Sequence, residues 1–402
     1  MMPVHSPREV RLLFGITILI RSITIIVQTI APIIFVTIFD LSSVVVGWLI
    51  AGFWIANAFG TVFSIGVIRN RRVSTIVGLV IISTAFVGLI FLGQFVTDTI
   101  FIISEGVGLS MVQTFLVPSM YFNRKQGRPH SGLGGYSTAL AIGGTVGPLI
   151  AFAAILFYDF SILFAILASI SIGVLLFALR IGFQKSFGRE DTSKSISSSK
   201  ILLIIRQRIF ASYYFLNFLY SMLLPILLSY AGIYSNIRFG IGTAEVMILF
   251  AAVFTLSVVM RVIFTNLRIK DFRVLLVPSF AILLVSFVLI GIANAFALFL
   301  LGFLLFSVPH AFIYPSTLFK ALQANSDESV ISSTYVYTTS SGVAEFISPL
   351  LALPIIALYD FSAIFLIMST LAFIGLVFSL ILPLITKTST TPASIGNGQV
   401  QN

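Results

Sequence analysis

The sequence predicts an all-α integral membrane protein whose twelve transmembrane helices form two pseudo-symmetric six-helix bundles. Three observations carry this. The 402 residues are 58% hydrophobic and 9% charged, whereas soluble domains carry about 25% charged residues. The apolar residues recur in runs of about 20, the length that crosses a bilayer as a helix. The halves echo each other: Pro148-Leu149 and Tyr158-Asp159-Phe160-Ser161 return as Pro349-Leu350 and Tyr359-Asp360-Phe361-Ser362, displaced by 201 residues. Arg72-Val73 and Arg273-Val274 keep that offset, and Pro118-Ser119 and Pro315-Ser316 differ by 197. Several matches at nearly one offset point to a duplicated unit.

Backbone groups in lipid must bond internally, so the apolar runs are helices. In order they cover residues 12–38, 44–68, 73–95, 98–121, 134–157 and 161–183, then 209–233, 243–267, 274–294, 296–319, 333–357 and 361–385. Asp98 and Asn294 mark the tight hairpins after spans three and nine. The segment 184–208, with Gly188-Arg189-Glu190-Asp191 and Ser197-Ser198-Ser199-Lys200, reads as a polar cytoplasmic linker between an N-terminal half, 1–183, and a C-terminal half, 209–386. Residues 387–402 are polar and read as a disordered cytoplasmic tail.

Charge placement sets the orientation. With the N-terminus in the cytoplasm, 20 of the 23 Lys and Arg residues fall at cytoplasmic ends or turns, Arg238 is outside, and Arg21 and Arg261 lie within spans. The positive-inside rule therefore selects an even span count with both termini cytoplasmic. Asp40, Asp98, Asp159 and Asp360 fall in outer loops. This dispersal explains the net charge of +10 through anionic lipid headgroups, with no nucleic-acid partner. The absence of cysteine excludes disulfides and thiol catalysis.

Two six-span halves of the same orientation are parallel repeats, the plan of transporters with a site between the halves. At this point the chain resembles the major facilitator superfamily over nearly its whole length. Gly143-Gly144-Thr145-Val146-Gly147-Pro148 is similar to the start of its span-five Gly-x-x-x-Gly-Pro motif, and Gly60 with Arg69, Arg71 and Arg72 to its loop 2–3 motif. The resemblance implies a cavity lined by spans 1, 4, 7 and 10. It gives Gly60, Arg71, Arg72, Gly143, Gly147 and Pro148 roles in gating and helix packing, and through the span-five motif it leans towards export.

The residues themselves point to the same cavity. Ionisable groups inside spans are costly unless paired or facing water, so each is a candidate site. Arg21 lies ~14 Å into span one, with Gln28 two turns on; it suits an anionic substrate or a carboxylate partner. Glu105 in span four is the leading proton carrier, with Gln113 two turns along. Tyr213, Asn217 and Tyr220 share one face of span seven and read as cavity-facing. His310 and Tyr314, between Pro309 and Pro315, combine a proton-relay candidate with a weakened helix in span ten. Glu345 answers to Gly144 in the repeat, and Arg261 to Gly60. Arg261, near the inner end of span eight, reads as a snorkelling structural residue.

These features predict a monomeric secondary transporter of the cell membrane, moving a small solute by alternating access, proton-coupled through Glu105 with Arg21 beside it. A facilitated carrier of a small organic anion at Arg21, and a sensor sharing the fold, remain alternatives. No His-Glu-x-x-His, Gly-x-Ser-x-Gly, phosphate loop or metal-spaced cluster appears, so neither an enzyme nor a metal or cofactor protein is expected.

Overall fold

The computed structural model describes residues 7–68, 70–121, 131–180, 198–266, 273–323 and 330–387. Among these there is no strand. The first half comprises α1 (Pro7–Thr37), α2 (Ser43–Phe63), α3 (Arg71–Leu89), α4 (Phe95–Tyr121), α5 (Ser131–Phe157) and α6 (Phe160–Arg180). The rest of the chain adds α7 (Ser198–Arg206), α8 (Arg208–Phe239), α9 (Thr243–Asn266), α10 (Arg273–Gly291), α11 (Phe296–Leu305), α12 (Ser307–Gln323), α13 (Val330–Leu358) and α14 (Phe361–Lys387). Twelve helical stretches among the described residues are long and apolar enough to cross a membrane. Span two finishes in a π-helical turn, Ser64–Ile68.

Four sequence expectations change. Span ten is two helices, α11 and α12, broken at Phe306. Pro309 has no N–H to give the Leu305 carbonyl, so the first helix ends there. Span seven runs on to Phe239, where Gly240 stops it with a left-handed backbone (φ 68°). Residues 198–206, placed in the polar linker, form α7. Its apolar run Ile201-Leu202-Leu203-Ile204-Ile205 winds into a helix that buries Ile204 and packs on α8 and α13. Asp98, assigned to an outer loop, sits buried in the first turn of α4, where its carboxylate accepts from the Gly93 and Gln94 N–H groups at 2.8 and 2.9 Å. The remainder of the linker reading, 184–197, and the tail at 388–402 lie outside the described residues.

The repeated Tyr-Asp-Phe-Ser acquires a physical reason. Asp159 Oδ1 accepts from Ile162 N at 2.9 Å, and Asp360 Oδ1 from Ala363 N at 3.0 Å. Each aspartate therefore caps the last helix of its half. Hydrogen bonds from the Ser362 hydroxyl and then from backbone N–H groups hold the Asp360 carboxyl below the usual carboxylate range. Asp360→Ala should cost about 1 kcal/mol of stability. Because the folded value is the depressed one, that contribution is complete above the unfolded value near 4 and disappears as pH falls through the folded value. Thermal unfolding of wild type and variant in detergent should thus differ at pH 7 and converge in acid.

The halves meet along two seams, α5 against α9 and α2 against α13, with α1 and α8 packed together between them. Every residue from 22 to 35 of α1 and from 219 to 235 of α8 is buried. That packing closes the bundle at the end opposite the start of α1.

Candidate functional site

A cavity of about 140 Å³ lies between the halves, displaced towards the side on which α1 begins. Tyr136 on α5, Thr114 on α4 and Arg261 on α9 line it within about two turns of that end of their helices. The first half contributes Arg21 from α1, Asn57 and Thr61 from α2, Ser110 and Gln113 from α4, and Leu140 from α5. The second half contributes Tyr220, Ser221 and Leu224 from α8, His310 and Tyr314 from α12, and Thr338, Ser341, Gly342 and Glu345 from α13.

Small residues let the first helices approach closely enough to place Arg21. A Cβ on Gly143 would lie 2.5 Å from the Ile18 carbonyl oxygen and 2.8 Å from Arg21 Cβ. One turn on, a Cβ on Gly147 would lie 2.5 Å from the Ser22 carbonyl oxygen. Ser22 Oγ donates to the Gly143 carbonyl at 3.0 Å. The Gly-x-x-x-Gly-Pro segment is thus the seat on which α1 presents Arg21, and Pro148 follows it inside α5 without ending the helix. Gly60 serves a similar purpose on α2, where a side chain would strike Ser110 and Val107 of α4. Arg71 and Arg72 open α3, whose N-terminus Asn70 caps by accepting from the Arg72 and Val73 N–H groups at 3.1 and 3.2 Å. Arg69 lies outside the described residues.

Across the cavity, Arg21 interacts electrostatically with Glu345 and with Tyr136, Tyr220 and Tyr314. Tyr136 and Tyr314 share a side-chain hydrogen bond that joins α5 to α12. The Tyr220 hydroxyl and His310 Nδ1 lie 2.6 Å apart, and the His310 ring packs against Phe254 and Phe306 at 5.0 and 5.8 Å between centroids. Gln113 Nε2 donates to Thr24 Oγ1 at 2.7 Å.

Of the residues singled out from the sequence, Arg21, Gln113, Tyr220, His310, Tyr314 and Glu345 come together at this cavity. Four do not line it. Gln28 shares the face of Arg21 but sits about 10 Å farther along α1, inside the sealed stretch, with its Oε1 buried and without a hydrogen bond. Asn217 is fully buried, and its Nδ2 donates to Ser341 Oγ at 2.7 Å, so it supports the wall from behind. Tyr213 is buried one turn before it. Glu105 is enclosed in α4, where a Cβ on its neighbour Gly106 would lie 2.6 Å from the Phe53 carbonyl oxygen of α2. Both Glu105 carboxyl oxygens are buried without a hydrogen-bond partner, and Arg21 is not among its electrostatic neighbours.

Arg261 corrects the snorkelling assignment. It is 8% exposed and turns inward. Its guanidinium donates to the Ser137 carbonyl of α5 and, at 2.8 Å, to the His310 carbonyl of α12. Tyr136 and Asn57 were also missed. The signal for Arg261 was its repeat counterpart Gly60; for Tyr136, it was an aromatic residue in a stretch of Gly, Ser and Ala.

A family model described as Major Facilitator Superfamily matches residues 12–335. The chain belongs to the major facilitator superfamily. Solved structures of transporters share its fold. The human organic anion transporter MFSD10 (TETRAN) superposes with a TM-score of 0.66 at 16% identity, covering 93% of this chain and 100% of that one. A POT family transporter in complex with thioalcohol conjugated peptide gives 0.71 at 14% identity, over 94% and 97%. A POT family transporter in complex with 5-aminolevulinic acid gives 0.70 at 14%, over 96% and 99%. No curated protein matches the chain. This superfamily member is a multi-pass membrane transporter.

Proposed function

We propose that this chain is a proton-coupled carrier that moves a small solute by alternating access, with Glu345 as the proton-carrying group. One observation supports this above the rest: Arg21 of the first half and Glu345 of the second face one cavity between the halves and feel each other's charge. Tyr136, Tyr220 and Tyr314 face Glu345 from α5, α8 and α12. An ionised Glu345 attracts the guanidinium across the interface and favours the halves drawn together. A proton on Glu345 cancels that attraction and frees both groups for solute. The protonation state thereby biases the two arrangements of the halves, as coupling requires. Glu105, without Arg21 beside it, lacks this link to the second half. Gly143 and Gly147 act in helix packing, and their contacts favour neither export nor import.

The test uses the purified protein in liposomes containing a pH-sensitive dye, challenged with a panel of small solutes. Wild type should move protons with one class of solute. Glu345→Gln should still exchange that solute across the membrane while its proton flux disappears. Unchanged dependence on the pH gradient in Glu345→Gln would overturn the assignment. The same outcome with loss of coupling in Glu105→Gln would move the proton to α4.

A further inference from the structure

Nine of the ten residues from Ser332 to Ser341 of α13 bear a hydroxyl, Val336 being the exception. The corresponding ten residues of α5, 131–140, bear four. Hydroxyls in a membrane span cost free energy unless they are hydrogen-bonded. The run lies on one side of Glu345 only. From Phe346 to the end of α13 at Leu358 there is one hydroxyl, Ser348, which donates to the Met222 carbonyl of α8. α13 is the eleventh of the twelve spans and therefore begins on the same side of the membrane as α1. The polar half of the helix thus joins Glu345 to that side, and its excess of hydroxyls over α5 accompanies the exchange of Gly144 for Glu345.

Buried contacts mark a route along it. Arg21, Tyr136, Tyr220 and Tyr314 face Glu345 from α1, α5, α8 and α12. Tyr314 in turn has the Tyr337 phenol as an electrostatic neighbour, with the ring centroids 6.2 Å apart. The Tyr337 hydroxyl lies 2.7 Å from Thr317 Oγ1, one turn along α12 from Tyr314. Tyr337 is eight residues, about 12 Å, closer than Glu345 to the start of α13. Ser333 and Ser340 share its face of the helix, one turn to either side. Both hydroxyls are buried, and neither has a hydrogen-bond partner among the described residues.

We propose that Tyr337, with Ser333 and Ser340, relays protons between Glu345 and the side of the membrane on which α1 begins. The inference rests on reading Glu345 as the proton-carrying group and adds the route by which its proton arrives and leaves. A phenol or alcohol accepts a hydrogen bond on oxygen while donating its own O–H. In each transfer a hydroxyl takes a proton on a lone pair and releases the one it held. One proton passes between Glu345 and the solvent on that side, and every hydroxyl ends as it began. Where two hydroxyls are too far apart to bond, a water bridges them, and the Ser333 and Ser340 hydroxyls are the polar partners that such a water requires. The apolar second half of α13 and the sealed stretches of α1 and α8 oppose passage the other way.

The test follows the infrared band of the protonated Glu345 carboxyl after a rapid pH jump, on the full chain in detergent, with the band identified by its loss in Glu345→Gln. Tyr337→Phe keeps the ring beside Tyr314 and removes the relay oxygen, while Thr317 retains the Ile313 carbonyl as acceptor at 2.7 Å. It should slow the response by about tenfold or more. Ser333→Ala combined with Ser340→Ala removes two hydroxyls that have no hydrogen-bond partner among the described residues, so the fold is retained and the same slowing is expected. Tyr230→Phe removes another such buried hydroxyl, in the sealed stretch of α8, and should respond as wild type. A wild-type rate in either path variant that folds, or equal slowing in Tyr230→Phe, would overturn the route and leave Glu345 as the carrier. A wild-type protein with no band that Glu345→Gln removes would overturn the carrier assignment and the route together.

Discussion

Arg21→Gln is expected to lower transport at least about a hundredfold, and its stability cost should be partly relieved by a second change, Glu345→Gln. Arg21 lies midway along α1 with its Nε buried, opposite a carboxyl carried by the other half. Removing the guanidinium leaves Glu345 in a low-dielectric cavity without the charge that faces it, a smaller loss than the about 3–5 kcal/mol of stranding one member of a buried pair in direct contact. Part of that cost can be avoided by neutralising the survivor, so the double variant should be more stable than the sum of the single changes allows. A double-mutant cycle by thermal unfolding in detergent should report a coupling on the order of 1–3 kcal/mol. Strict additivity would show that the two groups do not communicate and would remove the basis for coupling through them. Glu105→Gln on the Arg21→Gln background should be additive, since Arg21 does not act on that carboxyl.

Much of this architecture was legible because lipid constrains composition severely. Twelve apolar runs, a repeat offset and the placement of basic residues are one-dimensional signals, and the helices follow them within a few residues at most ends. Polar residues inside such runs are rare, so Arg21, Glu345, His310, Tyr220, Tyr314 and Gln113 stood out as cavity candidates. Helical spacing gave the right face for Gln28 but could not say where along α1 the cavity ends; that depends on how tightly α1 and α8 converge. Asn217 shows the same limit, since a polar group on a central helix can bond to the next helix instead of facing solute. Glu105 was read by residue type, but whether an arginine lies beside it depends on helix crossing. Arg261 was misjudged for the opposite reason. Its position near a helix end suggested escape to the headgroups, whereas the α5–α9 seam gives it carbonyls to hold within the bundle. Comparing the halves had already marked it, because the repeat places Gly60 there. Gly60 must be small to admit α4, whereas position 261 carries an arginine that reaches carbonyls of α5 and α12.

Gly143→Leu is expected to abolish transport through the position of Arg21 while Gly173→Leu leaves it unaltered. Gly143 lies on the seam where α5 touches the backbone of α1, and its carbonyl receives the Ser22 hydroxyl. A side chain there meets a carbonyl oxygen and the Cβ of Arg21, neither of which can rotate away. Overpacking of this kind costs about 1–3 kcal/mol, and relieving it requires α1 to move off α5. The movement carries Arg21 with it, and a displacement of about 1 Å at a chemically selective site can cost about a hundredfold in activity. Gly173 on α6 has open space where its Cβ would be, so the same substitution there controls for the general effect of adding leucine to a membrane helix. Transport by each variant, normalised to folded protein recovered in detergent, separates the two causes. Loss of transport in well-folded Gly143→Leu with an intact Gly173→Leu would tie the Gly-x-x-x-Gly-Pro segment to the placement of a cavity charge. Wild-type transport in Gly143→Leu would mean that the α1–α5 seam yields locally and that Arg21 is held by its cavity partners alone.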